Sequence, residues 1–133
     1  MKADPDTEAA IRALVDRAYA AMSTPGADFT DIFGADDMHV AGSGRGELLN
    51  GPRQVIAVAQ DLASAGMTWT AEQVTVWQEG DVAWAQILGH VTVPREAGPD
   101  RVPYWTTGVF ARAAGGWEWR YWGGAEPQEE PRV

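Results

Sequence analysis

The stretch "TTGVFARAAGGWEWRYW", Thr106–Trp122, is two alternating runs on either side of a glycine pair. A period of two in hydrophobicity is the signature of a strand, and two such runs joined by Ala113-Ala114-Gly115-Gly116 read as a β-hairpin. Three tryptophans and a tyrosine fall within its second arm, and Gly123 and Gly124 follow at once. The hairpin predicts strands over Val102–Arg112 and Trp117–Ala125. It also raises the question of whether so much aromatic bulk is core or the wall of a pocket.

Working outward toward the N-terminus, "PREAGPD" (Pro94–Asp100) reads as a loop. Before it, Met67–Trp77 and Asp81–Val93 alternate like the hairpin arms and are joined by the turn Gln78-Glu79-Gly80. Upstream of Gly66 the period changes to that of a helix. Val55, Ile56, Val58, Ala59 and Leu62 form one apolar side, with Asn50 expected as the N-cap and Pro52 in the first turn. "GSGRG" (Gly42–Gly46) is a loop after a short strand, Met38–Ala41. A short helix is expected at Ala27–Phe33. A longer one runs over Thr7–Met22, where Ile11, Leu14, Val15, Ala18 and Met22 recur at helical spacing; Asp4 or Asp6 caps it and Ser23-Thr24-Pro25-Gly26 ends it. Helices first and long strands last predict an α+β fold, with helices packed on one face of a curved, mostly antiparallel sheet. The organisation is one domain, 1–125, and a tail, 126–133, expected to be disordered or to lie on a partner.

Strand parity assigns faces. Trp117, Trp119 and Tyr121 share the face expected to meet the helices, and Glu118, Arg120 and Trp122 share the other. Arg112 turns its own set (Tyr104, Thr106, Gly108, Phe110) outward, which leaves Trp105, Thr107, Val109 and Ala111 inside. In Asp81–Val93 one face is small (Ala83, Ala85, Ile87, Gly89). The other carries Val82, Trp84, Gln86, Leu88 and His90. Both are apolar enough to be covered, which suggests helices on one side and a second copy of the chain on the other.

Composition narrows the function classes. The 133 residues carry a net charge of −9 and no cysteine. The charge disfavours nucleic acid and anionic membranes as partners. The lack of cysteine excludes disulfides, thiol catalysis and cysteine metal sites. No apolar run is long enough to span a bilayer, and Asp4, Asp6 and Glu8 interrupt any leader-like core, so a cytoplasmic protein is expected.

The strings "IFGADDMHVAGSG" (Ile32–Gly44), "GELLNGPRQVI" (Gly46–Ile56), "GDVAWAQI" (Gly80–Ile87) and "TTGVFARAAGGWEWRYW" come in an order and at a spacing that resemble the SnoaL-like branch of the nuclear transport factor 2-like superfamily. That resemblance implies a cone-shaped α+β fold whose members include ketosteroid isomerases, polyketide cyclases, scytalone dehydratase and limonene epoxide hydrolase. The chain departs from the family pattern at its polar positions. Where the isomerases carry an aspartate base, here near Gly42, no carboxylate lies between Asp37 and Glu47. Trp105 stands where many relatives have arginine, and Tyr121, Gly123 and Ala125 stand near positions where they often have histidines and a serine. The implied cavity is drier and roomier than the family pattern.

Candidate chemistry follows from residue type. The imidazole is the side chain best suited to acid–base work near neutrality, so His39 and His90 are candidate general acids or bases, though each suits better a partly buried histidine bonded to backbone or one at a subunit interface. Asp37 is a candidate acid at the cone mouth or, with Asp36, a turn residue. Glu72 is a mid-strand carboxylate that is either buried and functional or solvated. Tyr121 and Tyr104 are candidate hydrogen-bond donors. Trp69, Trp105, Trp119 and Tyr121, with Tyr104 and Gly123, are candidate walls of a pocket for a flat apolar molecule; Trp117 is expected as a core anchor and Trp122 to point toward a possible subunit interface. No metal-ligand spacing is present, and "GSGRGE" lacks the ending of a phosphate loop. These features predict a homodimer that binds a small apolar or aromatic molecule, without metal or redox cofactor. It is either an enzyme of the cyclase, isomerase, dehydratase or epoxide-hydrolase kind, a non-catalytic binder, or a dimerisation module with a filled cone.

Overall fold

Asp4 begins the first helix: its carboxylate accepts from the Thr7 amide at 2.8 Å, and Pro5 occupies the first turn, where its missing N–H costs nothing. In the structure, a computed structural model that describes residues 1–129, α1 therefore spans Pro5–Met22, two residues longer than the periodicity indicated. The part of the expected tail at 130–133 lies outside the described residues. Ile11, Val15, Ala18, Tyr19 and Met22 form the buried side of α1. The next helix, α2, covers only Thr30–Phe33. Asp28 accepts from the Thr30 amide at 2.9 Å and so organises a turn where a longer helix was expected.

The short strand β1 (His39–Ala41) pairs with β2 (Leu48–Asn50), a strand too short to announce itself in the sequence. Helix α3 (Pro52–Ala63) is capped by Gly51 at φ 89°, not by Asn50. The Asn50 side chain is instead bonded to His39 Nδ1 at 3.0 Å, and its amide donates to Gln54 Oε1. Four long strands complete the chain: β3 (Thr68–Glu79), β4 (Val82–Val93), β5 (Asp100–Ala113) and β6 (Gly116–Ala125).

They form one six-stranded sheet in the order β2-β1-β6-β5-β4-β3. Every neighbouring pair is antiparallel except β1–β6, which is parallel, so the sheet is mixed. The helices cover one face, as the α+β reading anticipated. Arg12 ties α1 to the sheet by donating to the Val74 carbonyl at 2.7 Å, and Ser23 Oγ accepts from the Trp69 amide.

Two of the face assignments reverse. In β5, Tyr104, Thr106, Gly108 and Phe110 point to the helices, while Trp105 is 48% exposed on the outer face. Arg112 misleads because it sits at the strand end, where it pairs with Asp81 and lies 4.5 Å over the Trp117 ring. In β6 the register slips between Val109↔Tyr121 and Phe110↔Trp119, so Arg120 is an extra residue in a β-bulge. Past the bulge parity inverts: Trp119 and Trp122 both face inward and stack at 5.2 Å, and Tyr121 turns outward, 38% exposed. A second bulge, between Ala71 and Gln73, makes Glu72 the extra residue of β3. The small face of β4 (Ala83, Ala85, Ile87) is fully buried. Trp119 and Phe110, both fully buried with rings 4.8 Å apart, anchor the core; burial of each such side chain stabilises by about 1.5–3 kcal/mol.

Candidate functional site

Between α3 and the inner face of the sheet a cavity of about 260 Å³ stays open. The apolar side of α3 supplies Val55, Val58, Ala59 and Leu62, and the strands supply Trp69, Val91, Val93, Val102, Tyr104 and Trp122. The tryptophans thus line this space without filling it. Ser43, Glu47, Arg95 and Glu126 add polar groups to the wall.

Three features set its chemistry. Tyr104 is only 8% exposed, and its hydroxyl accepts from Trp122 Nε1 at 3.3 Å. Burial, reinforced by the negative charges of Glu47 and Glu126, pushes the phenol above its ordinary value although the Trp122 bond acts the other way. Tyr104 is therefore a protonated donor across the neutral range. Second, Trp69 is 9% exposed and meets the Tyr104 ring edge-on at 5.0 Å; its Nε1 is buried with no hydrogen-bond partner among the described residues. Third, Glu47 folds back over the β1–β2 loop, where Oε1 accepts from the Gly44 amide at 2.7 Å. Side chains at Gly42 and Gly44 would collide with it, since a Cβ at either would lie 2.6 Å or 2.9 Å from Glu47 Oε1. The glycines that resemble a phosphate loop in the sequence thus make room for a carboxylate.

Of the residues singled out in the sequence, Trp69 and Tyr104 line the cavity. Trp119 is core beneath Trp122, and Trp105 is on the outer face. Gly123 pairs with Thr107 and Ala41 and is not part of the wall; its neighbour Gly124 is the one that matters, because a Cβ there would fall 1.9 Å from the Tyr104 hydroxyl. None of His39, His90, Asp37, Glu72 and Tyr121 lines the cavity. His39 is bonded to Asn50 and lies 3.9 Å from the exposed Asp37. His90 and Arg101 both bond Glu72 Oε1, at 2.6 and 3.0 Å, on the outer face, and together they hold the Glu72 carboxyl below its ordinary value. Glu72 lies two positions beyond Thr70, the direct partner of His90, and so shares its face of the sheet. Glu47, Ser43, Arg95 and Glu126 did not stand out in the sequence. The glycines flanking Ser43 and preceding Glu47 were the available signal.

The SnoaL-like domain model matches residues 11–124. The chain belongs to the SnoaL-like family. No curated protein is significantly similar to it in sequence. Among solved structures, this SnoaL-like domain is similar to a nuclear transport factor 2-like protein with a cystatin-like fold from Novosphingobium aromaticivorans (19% identity, 94% of this chain and 84% of that one, TM-score 0.80). It is likewise similar to a candidate aromatic ring hydroxylase from the same species (16% identity, 96% and 94% coverage, TM-score 0.80). A third is a candidate dehydratase of the same superfamily from Streptomyces avermitilis (17% identity, 95% and 100% coverage, TM-score 0.76). At these identities the likeness is one of fold. Among the described residues no group of histidine and acidic side chains could hold a metal ion, and no helix is long and apolar enough to cross a membrane.

Proposed function

We propose that this SnoaL-like protein binds a small, largely apolar ring compound that carries an acceptor oxygen. The observation behind the reading is the buried Tyr104 hydroxyl in a wall that is apolar apart from Ser43, Glu47, Arg95 and Glu126. The hydroxyl accepts from Trp122 Nε1 and keeps its own hydrogen for an acceptor oxygen on a bound molecule, a bond worth about 1 kcal/mol net. The volume, just under the usual range for ligand cavities, favours one or two rings over a larger polycycle. Tryptophan fluorescence and thermal shift with tetralin and β-tetralone test this. The ketone should bind more tightly than the hydrocarbon, and Y104F should narrow the gap. No saturable response to either would refute the pocket reading.

A second reading rests on Glu47, a carboxylate fixed in the same wall. It fits an acid–base enzyme of the isomerase or dehydratase kind, with Glu47 taking a proton from carbon next to a carbonyl held by Tyr104. Deuterium uptake by β-tetralone from D2O, abolished in E47Q, is the expected result; exchange no faster than in buffer would remove this reading. The proposal also includes a cytoplasmic homodimer formed through the outer sheet face. Val82, Trp105 and Tyr121 are exposed there, beside half-buried Trp84 and Leu88.

A further inference from the structure

The cavity wall holds groups of opposite hydrogen-bonding character. The Tyr104 hydroxyl, which accepts from Trp122 Nε1, has its own hydrogen to donate to an acceptor. The charged groups in the wall are Glu47, Glu126 and Arg95. Arg95 is already engaged, its Nε donating to Asp100 at 3.2 Å. Glu47 is held in place by the Gly44 amide, and Glu126 follows the end of β6. With Arg95 offset by Asp100, the two carboxylates leave the wall negative. Both act on the Tyr104 hydroxyl against negative charge, and an anionic ligand group would meet the same field.

A largely apolar chamber whose wall holds a donor hydroxyl and two carboxylates that form no ion pair among the described residues is complementary to a particular kind of molecule. We infer that the ligand is an amine-bearing ring compound: the ring and an acceptor oxygen occupy the chamber, and a protonated amine sits against Glu47 and Glu126. This rests on the binding reading above and adds the charge class to it. The acidic chain as a whole, at −9, raises the local concentration of such a cation and disfavours carboxylate-bearing analogues of the same shape.

Three para-substituted acetophenones separate the possibilities by calorimetric titration of the full chain: the aminomethyl (ammonium), ethyl (neutral) and carboxymethyl (anionic) compounds. The expected order of affinity is ammonium, neutral, anion. The ammonium should lead the anion by about tenfold or more at low salt, and the ratio should shrink toward unity near 0.5 M salt. The double variant E47Q/E126Q should bring the two charged probes to within about threefold of each other, while E72Q on the outer face leaves all three affinities as they were. If the double variant does not give the native circular dichroism spectrum, the salt dependence of the unaltered protein decides. Binding of the neutral ketone without preference for the ammonium, or a preference that survives E47Q/E126Q, overturns this inference alone. Failure of all three probes to bind overturns it together with the binding reading.

Discussion

Alanine at Gly124 should damage this protein where alanine at its neighbour Gly123 does not. Neither glycine has a positive φ, so the backbone accepts alanine at both, and the stiffer unfolded chain alone would stabilise by about 0.4–1 kcal/mol. The difference is in what each Cβ meets. At Gly123 the nearest atoms are 3.7 Å away, an ordinary contact. At Gly124 the Cβ would lie 1.9 Å from the Tyr104 hydroxyl oxygen, 2.8 Å from Cζ and 3.3 Å from the Ser43 amide nitrogen. Tyr104 must retreat by roughly 1.5 Å to restore van der Waals separation. That breaks the bond from Trp122 Nε1, worth about 1 kcal/mol, and forces repacking at about 1–3 kcal/mol. The cavity beside the ring offers space to move into, which keeps the repacking near the lower end. The net expectation is a loss of about 2 kcal/mol for G124A and a gain of about 0.4–1 kcal/mol for G123A. Urea unfolding at 25 °C followed by tryptophan fluorescence would measure both, and in a thermal scan the two should separate by roughly 8 °C. If G124A proves as stable as G123A, Tyr104 does not occupy the position on which the site rests.

Three further outcomes are expected. Replacing Thr106 by valine leaves the buried Tyr19 hydroxyl without the partner it has at 2.8 Å, and should cost about 1–3 kcal/mol in the same unfolding assay. Burial raises the phenols of both Tyr19 and Tyr104 above the ordinary value of 10.0. The folded state keeps protons there that the unfolded chain releases, so stability is fully present below pH 10 and falls above it, by up to about 1.4 kcal/mol per pH unit for each tyrosine; Y104F should flatten that slope. On the outer face, W105K should dissociate the proposed dimer in sedimentation experiments while leaving the unfolding midpoint of the dissociated chain near that of the native fold, and a protein that is monomeric before the change would remove the dimer from the proposal.

How far the sequence reaches can be judged residue by residue. The apolar side of α3 was legible because helical periodicity is a local property, and that side does line the cavity. Trp69 and Tyr104 were legible as pocket residues only by type. The sequence face for Tyr104 was wrong, because Arg112 at the strand end was given the weight of a mid-strand charge. Glu47 was hidden, since its contribution depends on a loop that folds a side chain back over two glycines, and no periodicity records that.

The sequence by itself determined the kinds of the long elements and their order: the helical period of α1 and α3 before Gly66, alternation after it, and glycine turns between the long strands. Those signals depend on neighbours a few positions apart and survive in any context. Only the tertiary structure decided which way the side chains of β3 and β6 point. A bulge adds one residue against a partner strand, and which residue is extra is set by the pairing, not by the run that contains it. The extra residues at Glu72 and Arg120 invert parity beyond them, and in β6 this sends Tyr121 outward and brings Trp122 into the cavity wall.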